Sequence, residues 1–325
     1  MDQAVIKQSF GEAEISFYDE KLDENTVEKA KDAKIISIFI NSVISRSIID
    51  KLPNLKFIAT RSTGFEHIDL AYCAEKGIKV SYVPSYGDHT VAEIAFGLIL
   101  NLSRNILKAN NYIRATSDFN FSSDFRGFDL NNKTIGVVGT GRIGKNIIKM
   151  AKGFNMNVIA CDLHPDLEFA KANGFKYKSF EEIIREADII SLHVPFTKEN
   201  SHMVNKETIG RMKKGVLLIN TARGSLIDTQ ALMWGIKEGI IGGAGLDVLE
   251  EERELKTENE IFNADNPKNI DYKILTENHK LMDLPNVIIT PHIAFYTKEA
   301  ETEIVKTTIE NIQGFIGSQP RNLVK

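Results

Sequence analysis

An arginine, a run of acids and a histidine each follow an apolar stretch of this chain. Arg223 ends Leu217-Leu-Ile-Asn-Thr-Ala-Arg-Gly224, Asp247 and its acidic followers end Gly242-Gly-Ala-Gly-Leu-Asp-Val-Leu-Glu-Glu-Glu252, and His292 ends Ile288-Ile-Thr-Pro-His292. A guanidinium grips a carboxylate in two-pronged fashion and polarises an adjacent carbonyl. Imidazole is the side chain best suited to exchanging a proton near neutral pH. An acid bonded to its other ring nitrogen fixes the tautomer and favours the protonated form. Beside a hydride carrier, such a set suits interconversion of a 2-oxo acid and a 2-hydroxy acid.

The carrier's site is written in Thr134-Ile-Gly-Val-Val-Gly-Thr-Gly-Arg-Ile-Gly144, a complete G-x-G-x-x-G on Gly139, Gly141 and Gly144. Gly139 permits the tight turn, Gly141 lets backbone approach a pyrophosphate, and Gly144 lets helix and sheet pack closely. The N–H groups that open the following helix favour phosphate. Asp162 comes 18 residues after the last glycine, at the end of the apolar run Asn157–Cys161. A carboxylate there suits a ribose and repels a 2′-phosphate, so NAD is expected rather than NADP.

Apolar runs that read as strands recur between helical patterns: 34–40, 56–60, 79–83, 134–138, 157–160, 188–193, 215–220, 241–247 and 286–290. That alternation predicts an α/β chain with parallel sheets buried on both faces. Ligands of such sheets bind at the carboxyl ends of the strands, where the fingerprint, Arg223, Asp247 and His292 would meet. Residues 1–7 read as a first short strand. Thr90-Val-Ala-Glu93 has the form of a capping box opening a helix that runs to Ile106. Residues 118–132 read as a loop. The helix after the fingerprint turns Ile143, Ile147, Ile148, Ala151 and Phe154 to one face, and a last helix over 298–315 turns Ile304, Val305, Thr308, Ile309 and Ile312 inward. The polar stretch between Asp247 and Leu284, with Glu250, Glu251, Glu252, Glu254, Asn266 and Pro267, reads as a long loop of functional character.

With 325 residues, two domains are expected. A net charge of −4 gives no reason to expect nucleic acid or an anionic membrane as partner. The apolar tracts are too short to span a bilayer, and no signal-like segment opens the chain. Two cysteines, Cys73 and Cys161, make no disulfide framework and read as buried fillers, so a cytoplasmic setting is expected. The histidines lack metal-ligand spacing, so no metal is expected, and His193 reads as a packed residue.

Seven ordered segments carry a likeness. They are Thr60-Arg-Ser-Thr-Gly-Phe-Glu-His-Ile-Asp69, Val83-Pro-Ser-Tyr-Gly-Asp-His-Thr-Val-Ala-Glu93, Gly139-Thr-Gly-Arg-Ile-Gly144, Ser191-Leu-His-Val-Pro195, Asn220-Thr-Ala-Arg-Gly224, Gly245-Leu-Asp-Val248 and Thr290-Pro-His-Ile-Ala294. Over essentially its full length the chain resembles the D-isomer-specific 2-hydroxyacid dehydrogenases, most of all the D-lactate dehydrogenase branch. The resemblance implies two doubly wound, Rossmann-like domains with a cleft between them. A discontinuous substrate-binding domain would take 1–100 and 296–325, and an NAD-binding domain 101–295. It implies Arg223 as the substrate-binding arginine, Glu252 as the acid paired with the histidine, and His292 as proton donor. Thr63 and Gly64 would offer N–H groups to the substrate carboxylate, with Tyr86 and Phe295 at the substrate pocket. Arg142 and Ile143 would meet the pyrophosphate and Asp162 the adenosine ribose. Val194, Pro195, Asn200, Thr221, Ala222 and Asp247 would surround the rest of the cofactor. A homodimer through the nucleotide domains is also implied.

The expected activity is therefore NAD-dependent reduction of a 2-oxo acid, pyruvate foremost, to the D-2-hydroxy acid. One departure bears on the substrate. Relatives often place a tyrosine just after the first apolar run of the sheet, whereas this chain has Asn41-Ser42. A larger or more polar 2-oxo acid is thus a competing substrate. An NAD(H)-sensing binding protein of the same fold is a competing function, and an adenosyl-dependent methyltransferase a more distant one.

Overall fold

The structure, a computed structural model, describes residues 2–252, 255 and 272–324. The chain divides into two compact units, Met1–Tyr86 with Tyr296–Lys325, and Gly87–Phe295. The first boundary therefore falls at 87 rather than at the expected 101. Helix α4 (Asp88–Arg104) explains the difference, since it gives its apolar face to the second unit. Ala92, Ala95, Phe96, Leu98 and Ile99 are buried with Ile135, Val137, Ile147 and Ile148 in one core.

The smaller unit is built on three parallel strands in the order β1-β2-β3: β1 (Ile35–Ile38), β2 (Phe57–Thr60) and β3 (Lys79–Ser81). Around them lie α1 (Asp2–Phe10), α2 (Arg46–Asp50), α3 (Leu70–Glu75) and α12 (Lys298–Ile316). The returning chain end, Tyr296–Lys325, belongs to this unit. Phe315 stacks on Phe57 at 4.3 Å, Asn311 donates to the Tyr82 carbonyl, and the Val324 N–H donates to Val80 O. The expected strand over 1–7 is instead α1. Alternating apolar residues there were too few to fix a period, and Lys7 in the last turn complements the helix dipole.

The larger unit carries seven parallel strands: β4 (Thr134–Val138), β5 (Asn157–Cys161), β6 (Lys176–Tyr177), β7 (Ile189–Leu192), β8 (Val216–Asn220), β9 (Ile241–Leu246) and β10 (Val287–Ile289). Their order is β10-β9-β8-β7-β4-β5-β6. β4, β7 and β8 are buried almost throughout, as central strands covered on both faces must be. Helices α5 (Ile106–Thr116), α6 (Arg142–Gly153), α7 (Leu167–Asn173), α8 (Phe180–Glu186), α9 (Lys206–Ile209), α10 (Thr229–Lys237) and α11 (Tyr272–Met282) complete it. The chain leaves β4 toward β5 on one side and returns to β7 on the other. That reversal is the switch point at which open sheets of this kind bind ligands.

Two helix expectations change. α4 starts at Asp88 with Gly87 as its N-cap, so Thr90 lies inside the first turn rather than at the cap. Asp88 accounts for the earlier start: it pairs with Arg142 Nε at 3.0 Å, and its carbonyl accepts from Asn146 Nδ2 at 2.9 Å. At Asn105, in the left-handed region at φ 51°, the helix breaks, and α5 continues at a bend of 63°. In the polar stretch after Asp247, α11 replaces part of the expected loop, while Glu254, Asn266 and Pro267 lie outside the described residues. Among the described residues no single helix is long and apolar enough to cross a membrane.

Candidate active site

The fingerprint forms the strand–turn–helix that its glycines require. Gly139 sits at φ 93°, and a Cβ on it would come within 2.6 Å of the His193 carbonyl. A Cβ on Gly144 would lie 2.0 Å from the Gly139 carbonyl, so no side chain fits there. A Cβ on Gly141 would meet nothing within 4 Å, which leaves open space where α6 begins. Ile143, at the second position of α6, packs partly into the core below. Arg142, at the first, carries the ion pair to Asp88.

Asp162 follows β5 directly. One carboxylate oxygen accepts from Thr140 N at 2.6 Å and Thr140 Oγ1 at 2.9 Å, and the other from His164 N at 2.8 Å. Partial burial pushes its pKa up, but the hydrogen bonds outweigh burial and hold it below the usual carboxylate value. Thr140 Oγ1 in turn meets Tyr177 OH at 2.8 Å, so β6 helps to fix the acid.

Across the switch point, β8, β9 and β10 are adjacent and parallel, so the residues after their carboxyl ends share one edge. After β8, fully buried Asn220 shapes the turn: its Nδ2 donates to Arg223 O at 2.8 Å, and its Oδ1 accepts from Ala222 N at 3.0 Å. Arg223 NH1 reaches back to Ala222 O at 2.8 Å. After β9, Asp247 is 1% exposed and shapes the next turn. Its Oδ1 accepts from Thr290 Oγ1 at 2.5 Å and Ile293 N at 2.9 Å, and its Oδ2 from Ala294 N at 2.9 Å. Burial raises its pKa against the pull of those donors and of His292. After β10, that turn carries His292 at φ 55°, whose N–H donates to Asp247 O at 2.9 Å.

Two acids of the run take different partners. Glu252 Oε1 lies 2.6 Å from His292 Nδ1. Glu250 Oε1 lies 2.5 Å from His202 Nε2 instead, and its other oxygen accepts from Thr229 Oγ1 at 2.9 Å. Glu251, between them, is exposed at φ 52°. With Nδ1 facing a carboxylate, the other ring nitrogen of His292, Nε2, is chemically able to exchange a proton.

The D-isomer specific 2-hydroxyacid dehydrogenase family, by its NAD binding domain, matches residues 96–294. This chain belongs to that family. A D-lactate dehydrogenase of Escherichia coli is 38% identical over 313 residues, 94% of this chain and 90% of that protein. An aromatic 2-oxoacid reductase of Clostridium sporogenes is 40% identical over 299 residues, 90% and 85% of the two chains. Among solved structures, the D-lactate dehydrogenase of Aquifex aeolicus complexed with NAD and lactic acid aligns with a TM-score of 0.87 at 37% identity, covering 98% of this chain and 93% of that one. The protein is an NAD-dependent D-2-hydroxyacid dehydrogenase, similar to the D-lactate dehydrogenase branch.

The residues of this dehydrogenase fit NAD. Open space at Gly141 would admit a phosphate-bearing ligand, and the Thr221 hydroxyl, 8% exposed as a residue, is a buried polar atom with no protein partner. Ala222 packs partly into the core. Val194 touches the Gly139 turn, close enough to meet a Cβ built there at 2.8 Å, and Pro195 is exposed. Asn200 spends its amide closing its own loop, donating to Pro195 O and accepting from Thr197 N, both at 2.8 Å. Asp247, expected at the cofactor, has both oxygens engaged in the His292 turn. Thr140 and Tyr177, which hold Asp162, and Asn220, which holds the Arg223 turn, escaped the sequence reading because their work is local hydrogen bonding with no spacing signature.

In the smaller unit, the loop after β2 is tied by a buried network. Thr60 Oγ1 meets Ser62 Oγ at 2.7 Å and His67 Nε2 at 3.2 Å, Ser62 Oγ donates to Gly64 O at 2.6 Å, and Thr63 Oγ1 donates to Val83 O at 2.8 Å. Among the described residues, the N–H groups of Thr63 and Gly64 donate to no protein acceptor. Tyr86 and Phe295 are half-buried.

Proposed function

We propose that this dehydrogenase reduces a 2-oxo acid, pyruvate foremost, to the D-2-hydroxy acid, with Arg223, Glu252 and His292 as its working residues. The observation that carries the reading is the 2.6 Å contact of Glu252 Oε1 with His292 Nδ1, at the sheet edge shared with Arg223. When bound, the nicotinamide supplies a hydride to the carbonyl carbon. The chain does the rest. Arg223 would hold the substrate carboxylate and polarise the carbonyl, a task suited to its planar, permanent charge. The unpaired N–H groups of Thr63 and Gly64 would add two donors to that carboxylate. His292, oriented by the Glu252 carboxylate on its Nδ1, would give its Nε2 proton to the carbonyl oxygen and take it back in the oxidative direction. Gly139, Gly141, Arg142, Ile143 and Gly144 would receive the pyrophosphate, and Asp162 the ribose. Val194, Pro195, Asn200, Thr221, Ala222 and Asp247 would flank the remainder, Asp247 through the turn it shapes. The kinship also supports a homodimer, which sedimentation would verify.

A larger acid is the second reading. Asn41 is exposed where relatives place a tyrosine, and a reductase of aromatic 2-oxo acids is 40% identical. Turnover of NADH with pyruvate, longer aliphatic 2-oxo acids and phenylpyruvate tests both readings. A preference for pyruvate supports the first and a preference for phenylpyruvate the second. No NADH consumption with any of them would remove both.

A further inference from the structure

The His202–Glu250 contact lies outside the set just assigned, yet it stands where the Arg223 loop and the Glu252 segment touch. A Cβ on Gly224 would fall 2.0 Å from Leu249 O and 2.4 Å from Glu250 N, so these two backbones lie against each other with no room for a side chain. His202 is tied to the first of them, its N–H donating to Ser225 O at 2.9 Å, and it takes the left-handed conformation at φ 50°. Its ring reaches the second through Glu250 Oε1 at 2.5 Å. The Glu250 side chain is only 10% exposed, and its remaining oxygen accepts from Thr229 Oγ1 and N at 2.9 and 3.3 Å. Its carbonyl accepts from Asn278 Nδ2 of α11 at 2.8 Å.

Glu250 is thus fastened by three segments, and Glu252 follows only two residues later. A carboxylate's reach depends on where its backbone is held, and a misplaced catalytic group costs rate steeply. We infer that His202 and Glu250 are positioning residues for the reaction: their contact fixes the backbone between Gly224 and Glu252 and so keeps the Glu252 carboxylate on His292 Nδ1. The inference rests on the roles proposed for Glu252 and His292. The pair also removes a rival, because a Glu250 held by His202 and Thr229 is not available to His292.

The test compares the parent enzyme with His202→Leu, His202→Gln and His292→Ala, using NADH and the 2-oxo acid turned over best. His202→Leu should lower kcat by roughly 10–10²-fold with NADH affinity unchanged. It should also move the alkaline limb of the kcat/KM profile for reduction to lower pH. Among the described residues, the charged groups against the His292 turn are Glu252 on Nδ1 and Asp247 behind it, and an imidazolium parted from a carboxylate in general loses its proton more readily. His202→Gln, which keeps an N–H for Glu250, should recover most of both. An unmoved limb in His202→Leu overturns the inference even if Tm falls, because the pair would then support only the fold. A limb displaced equally in His202→Gln overturns it too. Should His202→Leu fail to fold, Glu250→Gln reads the same limb, moved in support and unmoved against. Full turnover by His292→Ala would refute the site assignment itself. An inactive His292→Ala beside an unmoved limb in the pair variants removes only the pair.

Discussion

His292 occupies a backbone region that a residue with a side chain seldom enters, at φ 55°. Such conformations persist where surrounding contacts over-determine them. Here the contacts come from Asp247, whose carboxylate takes three donors from residues 290–294 and whose carbonyl takes the His292 N–H. The turn is built so that the ring meets Glu252. His292→Ala should lower kcat by roughly 10²–10⁴-fold, the usual worth of a positioned proton donor. NADH affinity, measured by fluorescence titration, should stay close to the parent's, because the role proposed for the ring is at the substrate oxygen. The residue types of this site are legible in the sequence; Glu252 as the partner within the acidic run comes from the family resemblance, not from the run itself. Three consecutive glutamates on an irregular segment give no period from which to choose. Only the placement of His202 and Thr229, far away in sequence, commits Glu250 elsewhere.

Elements are where the chain spoke most plainly and where it misled. The runs buried on both faces, such as β4, β7 and β8, announce themselves because most of their residues are apolar. β6 is two residues long with an exposed lysine, too short and too polar to register as a strand. Yet its Tyr177 hydroxyl bonds Thr140, and Thr140 holds Asp162, so an unannounced element helps to fix that carboxylate. At the start of α4, Thr90-Val-Ala-Glu93 satisfies a local capping pattern, whereas tertiary contacts of Asp88 with α6 extend the helix upstream. The β5 end carries its own test. Asp162→Ala removes the negative charge that opposes a 2′-phosphate, so the ratio of kcat/KM for NADH over NADPH should fall. An unchanged ratio would show that the ribose is recognised elsewhere. Thr140 N and Oγ1, losing their acceptor, should also make the variant less stable.

At the scale of the whole molecule, acid is the informative stress. His193, at the end of β7, is bonded to Ser191 Oγ at 2.8 Å, and burial pushes its pKa from 6.5 down to about 3. Above pH 6.5 the ring is neutral in folded and unfolded chains alike, and it adds no pH dependence. Between 6.5 and about 3 the unfolded chain takes up a proton that the folded one refuses, so stability falls as pH falls. Asp247 acts in the opposite sense. Its raised folded pKa means that the folded chain binds the extra proton just above the ordinary carboxylate range, which offsets part of the loss. Comparing the parent with His193→Gln separates the two, because Asp247 is common to both. Trp234, the one tryptophan of the sequence, lies in α10 of the larger unit, so its fluorescence follows the unit that contains both groups. Urea unfolding read at Trp234 should show the parent losing about 1–2 kcal/mol more than His193→Gln between pH 7 and pH 5. Equal losses would mean that His193 titrates normally in the folded chain, and that the strand end it occupies is open to water.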